Sequence, residues 1–135
     1  FIDQRMIGLS LKTEFQTEDR ILLLALLNSI LSMFFIESFG FGRGLGALDL
    51  RATKFERDFK LLNFQSLSDV QKQAIKNAFL PISQRNRLPL EQEIEQADRT
   101  NFERVLLEIF GIAEHYDAIK ASLIHLYKIR FAVKD

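Results

Sequence analysis

A mainly helical α+β fold is predicted for this 135-residue chain, and three observations predict it. Apolar residues recur at helical spacing over most of the length. Four of the six glycines, Gly40, Gly42, Gly44 and Gly46, alternate with Phe41, Arg43 and Leu45 in one short loop. That loop runs from an apolar helical stretch into a short strand-like segment. The expected architecture is a buried central helix, a glycine-rich loop, a small sheet and a C-terminal helical pair. All of it falls in one domain over 1–135, with the strand, central helix, loop and short strands in 1–64 and a helical part in 65–135. The length suffices to bury roughly two-thirds of the surface of the unfolded chain.

Taken in order, Met6, Gly8 and Ser10 alternate with Ile7, Leu9 and Leu11, so Gln4 to Lys12 reads as a strand. Thr17 can cap the next element, with Glu18 and Asp19 in its first turn. Arg20 to Ser38, RILLLALLNSILSMFFIES, is the longest apolar run. It falls below the ~20 residues a bilayer needs, and Asn28, Ser29 and Ser32 put a polar stripe on it, so a buried helix is expected rather than a membrane span. Asn28 and Ser32 are placed to hydrogen-bond the incoming loop backbone. After the loop, Ala47 to Arg51 reads as a short strand and Thr53 as the cap of a helix from Lys54 to Asp58.

Ser66 or Ser68 opens a helix to Phe79, with Val70, Ala74, Ile75, Ala78 and Phe79 on its inner face and Pro81 as its stop. Residues 82–90 form a polar connector or a helix start with Arg85 and Arg87 exposed. Glu91 to Gln96 is an acidic helical arm, its alternating Glu91, Glu93 and Glu95 explained by solvation. Asp98 or Thr100 caps a helix carrying Phe102, Val105, Leu106, Ile109 and Phe110, which Gly111 ends. The last helix, Glu114 to about Val133, turns Ile119, Leu123 and Leu126 inward.

Thirteen phenylalanines and no tryptophan fill cores without adding polar chemistry, and the lack of cysteine excludes disulfides and thiolate metal sites. A reducing cytoplasm is compatible with that composition. The net charge is zero but unevenly spread. Residues 39–90 carry nine Lys/Arg against four Asp/Glu, and residues 91–119 carry two against eight. A basic middle beside an acidic stretch suits either a nucleic-acid-facing side or the solvated faces of different helices. The chain opens on Phe1 with no cleavable leader, which is read as a piece of a longer protein.

The glycine loop is not a phosphate cradle. Gly42-x-Gly44 reaches only Ala47 where a third glycine or alanine is required, no Gly-Lys-Ser/Thr follows, and the order is helix to strand rather than strand to helix. Arg43 at the loop tip has two readings. It can cap the last carbonyls of the preceding helix, or grip a phosphate or a guanine edge bidentately. Arg51, Lys54 and Arg57 would extend a basic strip for backbone contacts. His115 and His125 are ten apart with no carboxylate at ligand spacing, and Ser29 and Ser32 lack a nucleophile elbow, so no catalytic or metal constellation is present.

The stretch LLNSILSMFFIESFGFGRGLGALDLRATKFERDFKLLN is similar to the region near the C-terminus of restriction–modification adenine DNA methyltransferases, the type II restriction enzyme–methylase kind. NFERVLLEIFGIAEHYDAIKASLIHLYKIRFA resembles that family's closing pair of helices. The resemblance implies a target-recognition role, with Gly42, Arg43, Gly44, Arg51, Lys54 and Arg57 meeting double-stranded DNA. It also implies that S-adenosylmethionine belongs to the parent enzyme and not to this fragment. The Asn/Asp-Pro-Pro-Tyr/Phe motif that grips a flipped base is missing, so methyl transfer would lie upstream, in a catalytic half that this fragment contacts. The parent could carry a fused restriction endonuclease, and the expected location is the bacterial cytoplasm without a membrane partner. The alternative is a helical protein-interaction or assembly module, without direct DNA contact, that uses the acidic helices of 91–119.

Overall fold

The computed structural model describes residues 17–42 and 48–132. The expected strand over 4–12 lies outside the described residues. The fold is mainly α, with a two-stranded ladder at the glycine loop.

The apolar run is two helices, not the single one its composition suggests: α1 (Thr17–Leu27) and α2 (Ile30–Phe39), bent by 58° at the break. Ser29 caps α2 at the break. It takes extended geometry, φ −71° and ψ 155°, and its hydroxyl accepts from the Ser32 N–H as the cap of α2. The carbonyls at the end of α1 are then satisfied by side chains. Ser29 Oγ and Ser32 Oγ both donate to the Leu26 carbonyl, at 2.8 and 2.7 Å, and Asn28 Nδ2 donates to that of Leu24 at 2.8 Å. Asn28 and Ser32 therefore close the break, and among the described residues their side-chain bonds go to α1. Among the described residues no single helix is long and apolar enough to cross a membrane; α1 and α2 reach that length and composition only together, across the bend.

Gly40 ends α2, its N–H donating to the Ile36 carbonyl at 2.9 Å. The chain then pairs β1 (Phe41–Gly42) with β2 (Leu48–Asp49), antiparallel, Phe41 opposite Asp49 and Gly42 opposite Leu48. The strand expected over 47–51 is thus two residues long. Gly40 is required by close approach, since a Cβ there would overlap the Leu48 side chain at Cγ, Cδ1 and Cδ2. Gly40→Ala is expected to cost about 1–3 kcal/mol in urea unfolding, by overpacking. Adding Leu48→Ala should recover part of that loss, and full additivity of the two changes would refute the contact.

α3 (Ala52–Asp58) begins two residues earlier than predicted. Arg51 is its cap residue, without a side-chain cap bond, and Thr53 lies inside the helix. The Lys54 and Phe55 N–H groups both reach the Arg51 carbonyl, which sets the start there. After a 3-10 turn over Phe64–Ser66, α4 (Asp69–Gln84) opens with a complete capping box. The Gln71 N–H donates to Ser68 Oγ at 3.3 Å and the Ser68 N–H to Gln71 Oε1 at 2.9 Å. α4 runs through Pro81, which removes one donor near the helix end without stopping it. The continuation packs Ile82 against the core. Val70, expected inside, is 80% exposed in the first turn.

Pro89 precedes α5 (Leu90–Glu93), a single turn where an acidic arm was expected. α6 (Ala97–Ile109) is capped by Gln96 without a side-chain bond, so neither Asp98 nor Thr100 is its cap. Gly111 ends that segment at φ +69°, a left-handed conformation that glycine adopts without strain. A 3-10 turn over Ala113–His115 leads into α7 (Tyr116–Ala132).

Two buried clusters hold these elements. The first joins α1, α4 and α6 through Leu22, Leu26, Phe64, Ile75, Phe79, Phe102 and Leu106. The second joins α2, α6 and α7 through Ile30, Ile94, Leu107 and Leu123. α6 faces both, Phe102 and Leu106 toward one and Leu107 toward the other, so it is the spine of the domain. α7 packs chiefly on α2 and only lightly on α6, its expected partner.

Candidate functional site

Of the residues singled out for DNA contact, four lie among the described residues. Gly42 closes β1; Arg43 and Gly44 lie outside the described residues. Lys54 and Arg57 are three residues apart on α3, so their side chains lie about 60° apart around it, and Arg51 stands at its cap. Arg51 is exposed, and the Lys54 ammonium stands 5.7 Å from the centre of the Phe39 ring. Arg57, with a side chain 74% exposed, forms a fork with its neighbour, Nε to Asp58 Oδ1 at 2.7 Å and Nη2 to Oδ2 at 2.8 Å. That fork holds the Asp58 carboxyl below its usual range and raises the guanidinium. Such exposed pairs exchange partners readily, because water screens them.

A second assembly was not anticipated. Arg85, expected exposed, and Glu93, expected solvated, belong to a charged network with Asp98, Arg99 and Glu103. Glu103 is 0% exposed, Arg99 2% and Glu93 7%. Arg99 donates to Glu93 Oε1 from Nη2 at 2.7 Å and Nε at 3.0 Å, and its Nη1 reaches Glu103 Oε1 at 3.1 Å and the Asn28 carbonyl at 2.6 Å. Arg85 bridges Glu93 and Asp98, with Nη1 to Glu93 Oε2 at 2.7 Å and Nε to Asp98 Oδ2 at 2.6 Å. Glu103 Oε1 also accepts from the Ile30 N–H at 3.0 Å, the first amide of α2. Glu103 Oε2 is buried without a hydrogen-bond partner among the described residues.

Electrostatics divides these acids into two kinds. Hydrogen bonds from Arg85, then Arg99, hold the Glu93 carboxyl below its ordinary value, and Arg85 does the same for Asp98. Burial instead pushes Glu103 up to about 7, against the pull of Arg99. A local signal for this network exists in the sequence. Arg99, Glu103 and Leu107 are spaced by four, adjoining the Phe102–Leu106 stripe, so both charges fall on the inner face of α6.

Beside the network lies a cavity of about 330 Å³, walled by Leu24, Met33, Phe79 and Ile82 and floored by Arg85, Glu93 and Arg99. Arg85, Glu93 and Arg99 pair with one another there, and exposed Arg87 also lines it. His115 and His125 are exposed, and no group of three metal-ligating side chains occurs among the described residues.

Fold and sites together define a small, mainly α domain with a surface strip of cations and an internal ionic clamp. No protein-family model matches the chain, and no curated protein or solved structure matches it.

Proposed function

We propose that this chain is the DNA-contacting, target-recognition C-terminal part of an adenine-specific DNA methyltransferase from a bacterial restriction–modification system. The parent's catalytic half would bind S-adenosylmethionine and carry out methyl transfer in the cytoplasm; this fragment positions duplex DNA. The observation that carries the reading is the set of cations at the start and along α3, Arg51 at its cap and Lys54 and Arg57 within it. Cations so arranged suit backbone phosphates, which set register for base reading.

The competing assembly-module reading drew on the acidity of residues 91–119. Three of those acids, Glu93, Asp98 and Glu103, face Arg85 and Arg99 internally. Glu95 pairs with Lys120 at 3.0 Å, and Glu91 lies 4.0 Å from Lys128. Less negative charge remains for a partner than the composition suggests.

The test is duplex binding over a salt series. Each phosphate contact contributes about 0.9 to the slope of log affinity against log salt. Lys54→Ala should flatten the slope by about that amount across unrelated sequences. Arg57→Ala should flatten it less, because Arg57 must first leave Asp58, and Asp58→Asn should tighten binding. Absence of any DNA affinity at low ionic strength would hand the chain to the assembly-module reading.

A further inference from the structure

Phe35 and Phe39 of α2, Phe55 of α3 and Phe59 just beyond it form a ladder of rings belonging to neither buried cluster. Phe55 stacks on Phe59 with centroids 4.3 Å apart and planes at 14°. Phe59 meets Phe35 edge-on at 6.1 Å, and Phe35 stacks on Phe39 at 5.5 Å. All four rings are half-buried, and no residue of α3 is fully buried. Phe55 is the terminal ring of the ladder and stacks on a single ring among the described residues.

Around the rings stand cations. Lys54 is next to Phe55 in the chain and over Phe39 in space, and Arg51 and Arg57 lie one turn to either side of it. The nearby acids are Asp49, Glu56 and Asp58; Arg57 holds Asp58, and Asp49 and Arg51 have interactions of their own. Phenylalanine has no hydrogen-bonding group, so its ring recognises a partner only by an apolar or π face. A duplex hides those faces between its base pairs and can use only the cations. An unpaired strand presents both, a phosphate and a bare base in alternation.

We propose that this ladder is a stacking platform for unpaired bases, so that the surface binds single-stranded DNA in preference to duplex. The proposal rests on the DNA-contact reading above and names the form of DNA that the α2–α3 surface prefers. The cations hold the backbone, Phe55 takes a base as the terminal ring of the ladder, and sequence preference is weak because every base has a π face.

The experiment compares fluorescently labelled oligothymidylate with a duplex of the same length, by anisotropy at low salt. The single strand should bind more tightly. Phe55→Leu and Phe39→Leu, which keep an apolar side chain, should each weaken single-strand binding by roughly fivefold or more while leaving duplex binding unchanged. Lys54→Ala should weaken both. If a leucine variant fails to fold, 2-aminopurine placed in the single strand reads stacking directly in the unaltered protein, as fluorescence quenching on binding. Duplex bound as tightly as the single strand, with no 2-aminopurine quenching, overturns the platform and leaves the backbone-contact reading standing. No binding to either form overturns both. Binding to anionic lipid vesicles that Phe55→Leu abolishes, without single-strand preference, would assign the rings to a membrane surface instead.

Discussion

Arg99→Ala is expected to destabilise the domain by roughly 3–5 kcal/mol, the usual consequence of removing one partner from a buried ion network. Arg99 is 2% exposed and contacts three separate parts of the chain: Glu93 at the end of α5, Glu103 one turn on in α6, and the Asn28 carbonyl at the α1–α2 break. Without it Glu103, already 0% exposed, keeps only the Ile30 amide, and the Asn28 carbonyl loses a charge-assisted bond. A loss of that size takes a large share of the 5–15 kcal/mol that holds a typical domain together. Arg99→Lys should recover only part of it, because an ammonium cannot fork to two carboxylates and a carbonyl in one plane. Arg85→Ala should cost less, since that side chain is 25% exposed and water reaches the acids it leaves. Urea unfolding followed by circular dichroism measures all three. An Arg99→Ala midpoint within error of the unaltered protein would mean that the clamp contributes nothing to the fold.

The same clamp separates what the sequence disclosed from what it hid. Features decided within a few residues were legible: the Ser68 start of α4, where the capping box is local, the Gly111 stop, and the inward spacing of Phe102, Leu106 and Leu123. The break at Asn28–Ser29 was not, because leucine-rich periodicity runs through it without interruption. Its decisive contacts come from far along the chain, the Ile30 N–H reaching Glu103 and the Asn28 carbonyl reaching Arg99. Arg85 and Glu93 were assigned to solvent because they are charged. Their burial depends on partners six to thirteen residues away on other elements, which no local pattern specifies. Pro81 ends most helices, but here the packing of Ile82 on the first core outweighs one missing donor. For the site, Lys54 and Arg57 share a surface as the spacing implied, while the Asp58 fork and the phenylalanine ladder needed coordinates. Single phenylalanines at 35, 39, 55 and 59 look like ordinary core residues until their rings are seen outside both cores.

Stability should fall, not rise, as pH increases from about 4.5 to 7. Glu103 carries a folded value of about 7 against an ordinary 4.5, with burial as the leading cause. A carboxyl raised in this way contributes its full stabilisation below the unfolded value, where both states are protonated. The contribution is lost as pH climbs through the folded value, because the unfolded chain ionises first. A shift of that size corresponds to roughly 3 kcal/mol. Glu93 and Asp98 act in the opposite sense. Both are lowered by Arg85, so they stabilise above their unfolded values and withdraw that support as pH falls further. The two trends place the stability maximum in mildly acid solution, with a plateau above Glu103's titration. Glu103→Gln should remove the decline between 4.5 and 7, because the amide does not titrate yet still offers an oxygen to the Ile30 N–H. Urea midpoints across that range decide the matter; a midpoint that rises toward neutrality would show Glu103 ionised throughout. The consequence reaches beyond stability. Glu103 holds the first amide of α2, and through Arg99 it is tied to the last carbonyls before the break, so its proton sits at the joint that aims α2 and its phenylalanines.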